Sequence, residues 1–486
     1  MTHAIAGFAE IDAGLHPRRK SVFTPMWLVG WFSCLVLCFT NEWILGPSLF
    51  VFLLAVRFLR SDGEPPVVFA AFIYQWLQVT IALLYLAVTG RSVFGLDRID
   101  PAPIVFISLA SISVLFGGYA LVSPIHRSGS HPQAEGRSEN ISLIYFVVAY
   151  VSAVAVGDAL VSVAWTLPAV TQLFFVLSFS RYVILYLLVM RLLLPKPNWA
   201  AVLVLIGAEL VIGFSGFFAS FKDALVFIGI ALIVAAGKKK SIWVAITILV
   251  IIAFFAALGW TAIKPAMRGK YIDTPSGVER LKRAKAELGP ALRNPLILWT
   301  DRLDQALVYR IWQVYYPALA LRRVPASVPF EHGKLIKGAL ANTLKPRIFF
   351  PNKGVVPSES ELVRKYAGIR VAGAERRTSI AFGYVAESYV DFGWPLLLVP
   401  IFLFGCAVGA VDRFFFHAIL NREILQATRV VLLWSTLYLF ERSWVMMIGV
   451  FVSLSVALGL VGFALDRLGL YSVSRRSSSR AFSTAA

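Results

Sequence analysis

Charge is what this chain has least of. Of its 486 residues only 15% are Asp, Glu, Lys or Arg, against 58% apolar residues; a soluble domain carries about 25% charged and about 45–50% apolar. That shortage excludes an ordinary water-soluble globule. Cysteine is almost missing too. Cys34, Cys38 and Cys406 all fall inside apolar runs, which excludes a disulfide frame and a zinc cluster and reads as three small buried hydrophobes. No His/Cys/Asp/Glu grouping has metal-ligand spacing, so neither a metal nor a cofactor is expected. Acidic residues are scarce against basic ones, giving a net charge of +19. In a chain this apolar, that excess does not argue for nucleic acid, because Lys and Arg collect on the cytoplasmic side of membrane spans.

What the chain does have is long apolar runs, each approaching the roughly 20 residues a helix needs to cross the hydrocarbon. Twelve are read: about 26–40, 43–56, 67–89, 103–122, 141–165, 169–194, 199–219, 224–236, 242–263, 394–411, 425–440 and 444–465. The fold class expected is therefore an all-α polytopic membrane protein with about twelve transmembrane helices (ten to fourteen allowed) and one large, partly helical outer loop. The first, second and eighth runs are short for full spans. The polar, basic first 25 residues precede two apolar runs in succession, which reads as a retained first span.

Orientation follows from the basic residues in short loops. With the N-terminus inside, His16–Lys20, Arg57, Arg60, Arg127, Arg137, Arg191, Lys196, Lys238–Lys240, Arg413, Arg422 and the Ser/Arg-rich tail 474–480 all lie on the cytoplasmic side. The opposite short loops hold only Arg91, Arg98, Lys222 and Arg442. The expected organisation is a cytoplasmic tail 1–25, spans 26–263, an outer loop 264–393, spans 394–465 and a cytoplasmic tail 466–486. A loop of that length translocates regardless of its charge and is usually functional.

The outer loop is rich in cations. "RLKRAKAEL" (280–288) is an amphipathic run that suits a solvated or interfacial face. In "LWTDRLDQALVYRIWQVYYPALA" (298–320), Arg302, Ala306, Arg310 and Gln313 fall on one helical face. The two arginines either pair with Asp301 and Asp304 or form a clamp for phosphate. "LANTLKPRIFFPNKGVVPSESE" sets Lys345, Arg347 and Lys353 in an irregular Pro/Gly loop, which suits either a membrane-surface anchor or an anion site. "TSIAFGYVAESYVDFG" reads as a short helix capped by Thr378 or Ser379 and ended by Gly393, with Tyr384, Glu387 and Asp391 on one face. Glu387 is either an arginine's partner or a general base with a raised pKa at the membrane edge. "GFSGFFASFKDALV" brings Lys222 and Asp223 to the same outer face, as a snorkelling lysine or a binding one. Asp158, Arg181 and Glu209 are the charges nearest a span centre, and a transporter would depend on them.

Three of these patterns carry a resemblance: "SGFFASFKDAL" before a mid-chain span, an arginine helix followed by "LKPRIFFPNK", and "ESYVDFGWP" entering the next span. Across 213–405 the chain resembles the bacterial O-antigen and exopolysaccharide repeat-unit polymerases, whose architecture is related to the O-antigen ligases. Asp391 stands where that family often has an amide, and His332 is the only histidine in the loop. The resemblance implies a membrane-embedded glycosyltransferase of the inner membrane, with both termini cytoplasmic. Its substrate would be an oligosaccharide on polyprenyl pyrophosphate, and its surroundings membrane lipids with a flippase and a chain-length regulator. Glu387 and Asp391 would be catalytic. Lys222, Arg302, Arg310, Lys345, Arg347, Lys353 and Tyr384 would hold the substrate and its pyrophosphate in place of a divalent ion. A ligase or a glycan transporter remains open on the residues alone.

Overall fold

The computed structural model describes residues 25–39, 43–59, 65–123, 142–166, 171–194, 196–215, 221–236, 240–269, 282, 285–286, 303–345, 350, 352–354, 356–373, 375, 379–417 and 422–467. Among them the only regular structure is helical. Arg302, Arg347 and Thr378 lie outside the described residues, as does most of 280–288.

Each of the twelve apolar runs contains a helix. In chain order these are α1 (Pro25–Cys38), α2 (Leu45–Phe58), α3 (Val67–Thr89), α4 (Pro101–Val122), α5 (Leu143–Thr166), the pair α6 (Thr171–Leu177) and α7 (Ser180–Leu193), α8 (Trp199–Ser215), α9 (Phe221–Ala236) and α10 (Lys240–Gly269). The last three runs give α16 (Leu398–His417), α17 (Arg422–Leu437) and α18 (Trp444–Arg467), after the loop helices α11 (Leu303–Ile311), α12 (Tyr315–Arg323), α13 (Lys334–Leu344), α14 (Glu359–Leu362) and α15 (Tyr384–Phe392). Six stretches are long and apolar enough to cross a membrane by length and composition: 67–89, 101–122, 174–193, 241–261, 398–416 and 444–464.

Two departures from the expected elements have local causes. The run 169–194 breaks at Ser178–Phe179, where the Ser178 and Ser180 hydroxyls donate back to the carbonyls of Phe175 (2.6 Å) and Leu177 (2.7 Å) and compete with the helical ladder. The arginine run 298–320 is not one helix. It stops at Ile311 and restarts at Tyr315, and between them the Gln313 amide donates to the Gln78 carbonyl of α3 (2.9 Å). Arg310 and Gln313 therefore do not share a helical face.

The tightest helix pair is α4 with α16. A Cβ at Gly405 would collide with the Leu115 carbonyl, and one at Gly118 with the Phe402 carbonyl. Small residues here let the two backbones touch, the usual device where lipid removes the hydrophobic reason for helices to associate. The same pair is locked at one end by a buried network. Arg429 Nε donates to Asp412 Oδ1 (2.7 Å), and the hydroxyls of Tyr119 (2.8 Å) and Ser123 (3.3 Å) donate to Asp412 Oδ2. A buried carboxylate survives in such surroundings because its oxygens are met by donors.

Cys34 is buried and Cys406 half-buried, but Cys38 is exposed, against expectation; all three are free thiols.

Candidate functional site

The segment Tyr438–Ser443, between α17 and α18, is the hub on which the loop helices and the apolar bundle meet. Four side chains from elsewhere satisfy or flank its backbone. The Phe440 amide donates to Gln78 Oε1 (2.8 Å), the Ser443 amide to Glu359 Oε1 (3.3 Å), and the Trp444 amide to Glu387 Oε2 (3.1 Å). Gln75 Nε2 donates to the Leu437 carbonyl, and its Oε1 accepts from the Tyr384 hydroxyl (2.9 Å). The Tyr384 amide donates in turn to the Arg442 carbonyl (2.8 Å). Gln75 and Gln78 are fully buried in α3, so polar groups there are costly unless bonded. Together they hold the segment in register.

On this scaffold sits a mixed-charge, aromatic-walled cluster. Trp434 and Tyr438 stack with ring centroids 4.8 Å apart, and Tyr74 lies 5.7 Å from Tyr438. Lys222 Nζ lies 5.2 Å and the Arg442 guanidinium 5.3 Å from the Tyr438 ring centre. Arg442 also donates to the Ser435 carbonyl, and Trp434 Nε1 to Asp223 Oδ1 (3.3 Å). Arg310 comes within electrostatic reach of Tyr74 and Glu441. Lys222 is exposed and Glu441 half-buried; among the described residues neither makes a hydrogen bond or an ion pair. Burial raises the Glu441 carboxyl above the ordinary range, and Glu359 adds to that, while Lys222, Arg442 and Arg310 oppose it. The Trp434 and Tyr438 rings are themselves buried and wall the cluster; the charged groups beside them can hold an anion.

The residues expected from sequence divide sharply around this cluster. Lys222 and Arg310 belong to it, and Tyr384 supports it from below. Glu387 is 2% exposed. One of its oxygens is spent on the Trp444 amide and the other has no hydrogen-bond partner among the described residues. Its carboxyl is pushed well above the ordinary range, first by burial, then by Glu359 and Asp391. Asp391 is fully buried and caps α13, accepting from the amides of Leu335 (3.1 Å) and Ile336 (2.9 Å). Lys345 is exposed at the end of α13, and Lys353 Nζ donates to the Asn342 carbonyl (2.8 Å), so neither is drawn toward the hub by a described contact. His332 is exposed, with a positive φ of 48°. The short helix does end at Gly393, but it starts after Gly383 and not at Ser379, whose hydroxyl donates instead to Glu359 Oε2 (3.3 Å).

The chain matches no family model, no curated protein and no solved structure. The site therefore stands on its own geometry.

Two of the three charges near span centres, Arg181 and Glu209, face each other. Glu209 is fully buried, accepts from the Tyr150 hydroxyl and faces Arg181 Nη2 at 3.6 Å; Arg181 also donates to the Tyr182 hydroxyl (3.1 Å). The side chain of Asp158 lies outside the described residues. Sequence reading missed the hub itself. "YLFERSW" offers a signal, a Glu-Arg pair with aromatics between two apolar runs, but in the sequence Arg442 reads only as a loop charge.

Proposed function

We propose that this chain polymerises lipid-linked oligosaccharide repeat units into O-antigen or exopolysaccharide at the outer face of the bacterial inner membrane. In this reading its helices make about twelve crossings, with both termini cytoplasmic and residues 264–393 periplasmic. The substrate is an oligosaccharide hung from polyprenyl pyrophosphate, and a flippase and a chain-length regulator are its expected neighbours.

The observation that carries this reading is the hub cluster. Lys222, Arg310 and Arg442 come from three separate segments and gather beside Trp434, Tyr438 and Tyr74. Glycosyl transfer from a lipid pyrophosphate needs cations where negative charge grows on the leaving oxygen. It needs surroundings that keep water off the reacting groups, and the buried Trp434 and Tyr438 rings supply such a wall. It also needs a base within about 2.6–3.2 Å of the attacking hydroxyl. The pairing of Glu209 with Arg181 and Tyr150 supports a structural role for the span-centre charges rather than a carrier's titrating path.

The test is polymer formation from lipid-linked repeat units, extracted from bacteria that lack this gene and supplied to the purified protein in nanodiscs. A ladder of products spaced by one repeat unit is expected, and it should collapse in Lys222→Gln. Transfer of a single finished glycan to another lipid, or no product with an intact fold, would reject polymerase activity.

A further inference from the structure

We infer that Glu441 is the general base of this site, taking the proton from the acceptor sugar's hydroxyl. The inference rests on the glycosyl-transfer reading above and assigns a step within it.

Four carboxylates lie near the hub, and geometry separates them. Asp223 accepts from Trp434 Nε1 (3.3 Å), and Glu359 accepts from the Ser443 amide (3.3 Å) and the Ser379 hydroxyl (3.3 Å), so both are already engaged. Glu387 is sealed at 2% exposure, with one oxygen fixed to the Trp444 amide. A base so placed has no path to a hydroxyl on a bulky glycan. Glu441 is half-buried and its carboxylate makes no hydrogen bond among the described residues. Its backbone is nonetheless pinned on both sides, through the Phe440 amide on Gln78 (2.8 Å) and the Arg442 carbonyl on Tyr384 (2.8 Å). Only its own side-chain torsions are left to vary. A reachable carboxylate on a fixed backbone is the arrangement a proton acceptor requires.

Its surroundings suit the reaction. Lys222 on α9, Arg310 on α11 and Arg442 on the hub are the cations that face it, with Glu359 on α14 the facing carboxylate and Tyr74 on α3 the facing phenol. With pyrophosphate on the cations, the acceptor's O–H bond breaks and its proton passes to a Glu441 oxygen. The freed oxygen forms a bond to the donor sugar's C1. The bond between C1 and the phosphate oxygen breaks, and its electron pair leaves on the lipid pyrophosphate, where Lys222, Arg310 and Arg442 stabilise it. Burial and Glu359 keep the carboxyl above the ordinary range, which makes it a better proton acceptor than a free glutamate, while Lys222, Arg442 and Arg310 oppose that rise.

The experiment compares wild type with Glu441→Gln and Glu441→Asp in nanodiscs. Binding of undecaprenyl pyrophosphate alone is followed by quenching of tryptophan emission, and turnover by the polymer ladder. In Glu441→Gln, the probe should bind within about threefold of wild type while turnover falls by roughly 10²–10⁴-fold, the usual contribution of a general base. Glu441→Asp should recover part of the rate. Wild-type turnover should rise with pH to a plateau, and that acid-side limb should be absent from the residual rate of Glu441→Gln. Glu441→Gln turning over within threefold of wild type, or losing probe binding in parallel with turnover, overturns the inference and leaves the function standing. Loss of turnover in Glu387→Gln with full turnover in Glu441→Gln moves the base to Glu387. A wild type that neither binds the probe nor forms polymer overturns the function itself, and the inference with it.

Discussion

Asp391→Asn separates a structural from a chemical role for the second carboxylate of "ESYVDFG". In the native fold its two oxygens accept from successive first-turn amides of α13, Leu335 at 3.1 Å and Ile336 at 2.9 Å. The residue at the helix's own N-cap is Gly333, which has no side chain to offer. Asp391 therefore supplies from a distant segment the cap that α13 lacks. Asparagine keeps one acceptor and turns an amino group toward the other N–H. One hydrogen bond to a charged group is lost, worth about 1.5–3 kcal/mol. The negative charge at the helix N-terminus goes with it, worth about 0.3–1 kcal/mol. Together these come to about 2–4 kcal/mol, or roughly 30- to several-hundred-fold in the equilibrium for opening that helix. Hydrogen exchange read by mass spectrometry on peptides covering 333–345 is the assay. Exchange there should accelerate by that factor, with the α3 and α16 peptides unchanged. Native protection of α13 in Asp391→Asn would refute the capping argument, and polymer loss alongside it would return Asp391 to the chemistry.

Glu387 gives a pH-dependent prediction. Its folded carboxyl is raised above the unfolded value, so the folded state binds the extra proton and stability falls as pH rises between the two values; thermal unfolding of Glu387→Gln should lack that fall, and a wild type with no slope between pH 4 and 7 (roughly the window above a free glutamate's value) would contradict it. Glu331 is the opposite case, lowered by hydrogen bonds from Lys365 and Tyr366. Its contribution is present above the unfolded pKa and lost as pH falls through the folded one; because Lys365 is largely exposed, Glu331→Gln should cost no more than about 1 kcal/mol, read by urea unfolding of the purified protein. Arg429→Met leaves Asp412 buried with only its two hydroxyl donors, which should cost about 3–5 kcal/mol and appear as lost membrane expression; normal yield and thermal stability would show the pair to be dispensable. In a background without Cys34, Cys38 and Cys406, Lys337→Cys should react with an impermeant maleimide in intact spheroplasts, whereas reaction only after lysis would reverse the proposed orientation.

The elements that were legible in the sequence are those set by composition alone. A helix among lipid or in a greasy bundle needs only a long apolar run, so every one of the twelve runs contains one, and α3 and α4 end where Thr89 and Val122 were expected to end them. The break at Ser178 was illegible because two serines look innocuous in an apolar run until their hydroxyls turn back on the carbonyls. The start of α15 was misplaced because Ser379 had a distant competitor in Glu359. The candidate site was half legible for the same reason. A cation such as Lys222 in a short outer loop stands out by its rarity. Whether Glu387 or Glu441 is reachable depends on which backbone amides each must satisfy, and that is decided by contacts between residues 57 positions apart.

The buried glutamines tie this folding problem to the chemistry. Gln75 and Gln78 lie one turn apart on α3, fully buried, and between them they meet Leu437, Phe440 and the Tyr384 hydroxyl. Leucine at either position would pack as well and would suit an apolar helix better. The hub backbone would then carry an amide or carbonyl with no partner, at a cost of about 1–3 kcal/mol for each group left so. Near Phe440 the segment would shift to find water or another partner, while Glu359, Glu387 and the Tyr384 amide still hold its far end. Lys222 would keep its place on α9, and Arg310 its place on α11, while Tyr438 and Glu441 moved. The cluster owes part of its geometry to those two amides, which meet the start of the hub while Glu359, Glu387 and Tyr384 meet its end. Gln78→Leu should accordingly leave the apolar bundle folded and weaken pyrophosphate binding and turnover together, a pattern distinct from the loss of turnover alone expected of Glu441→Gln.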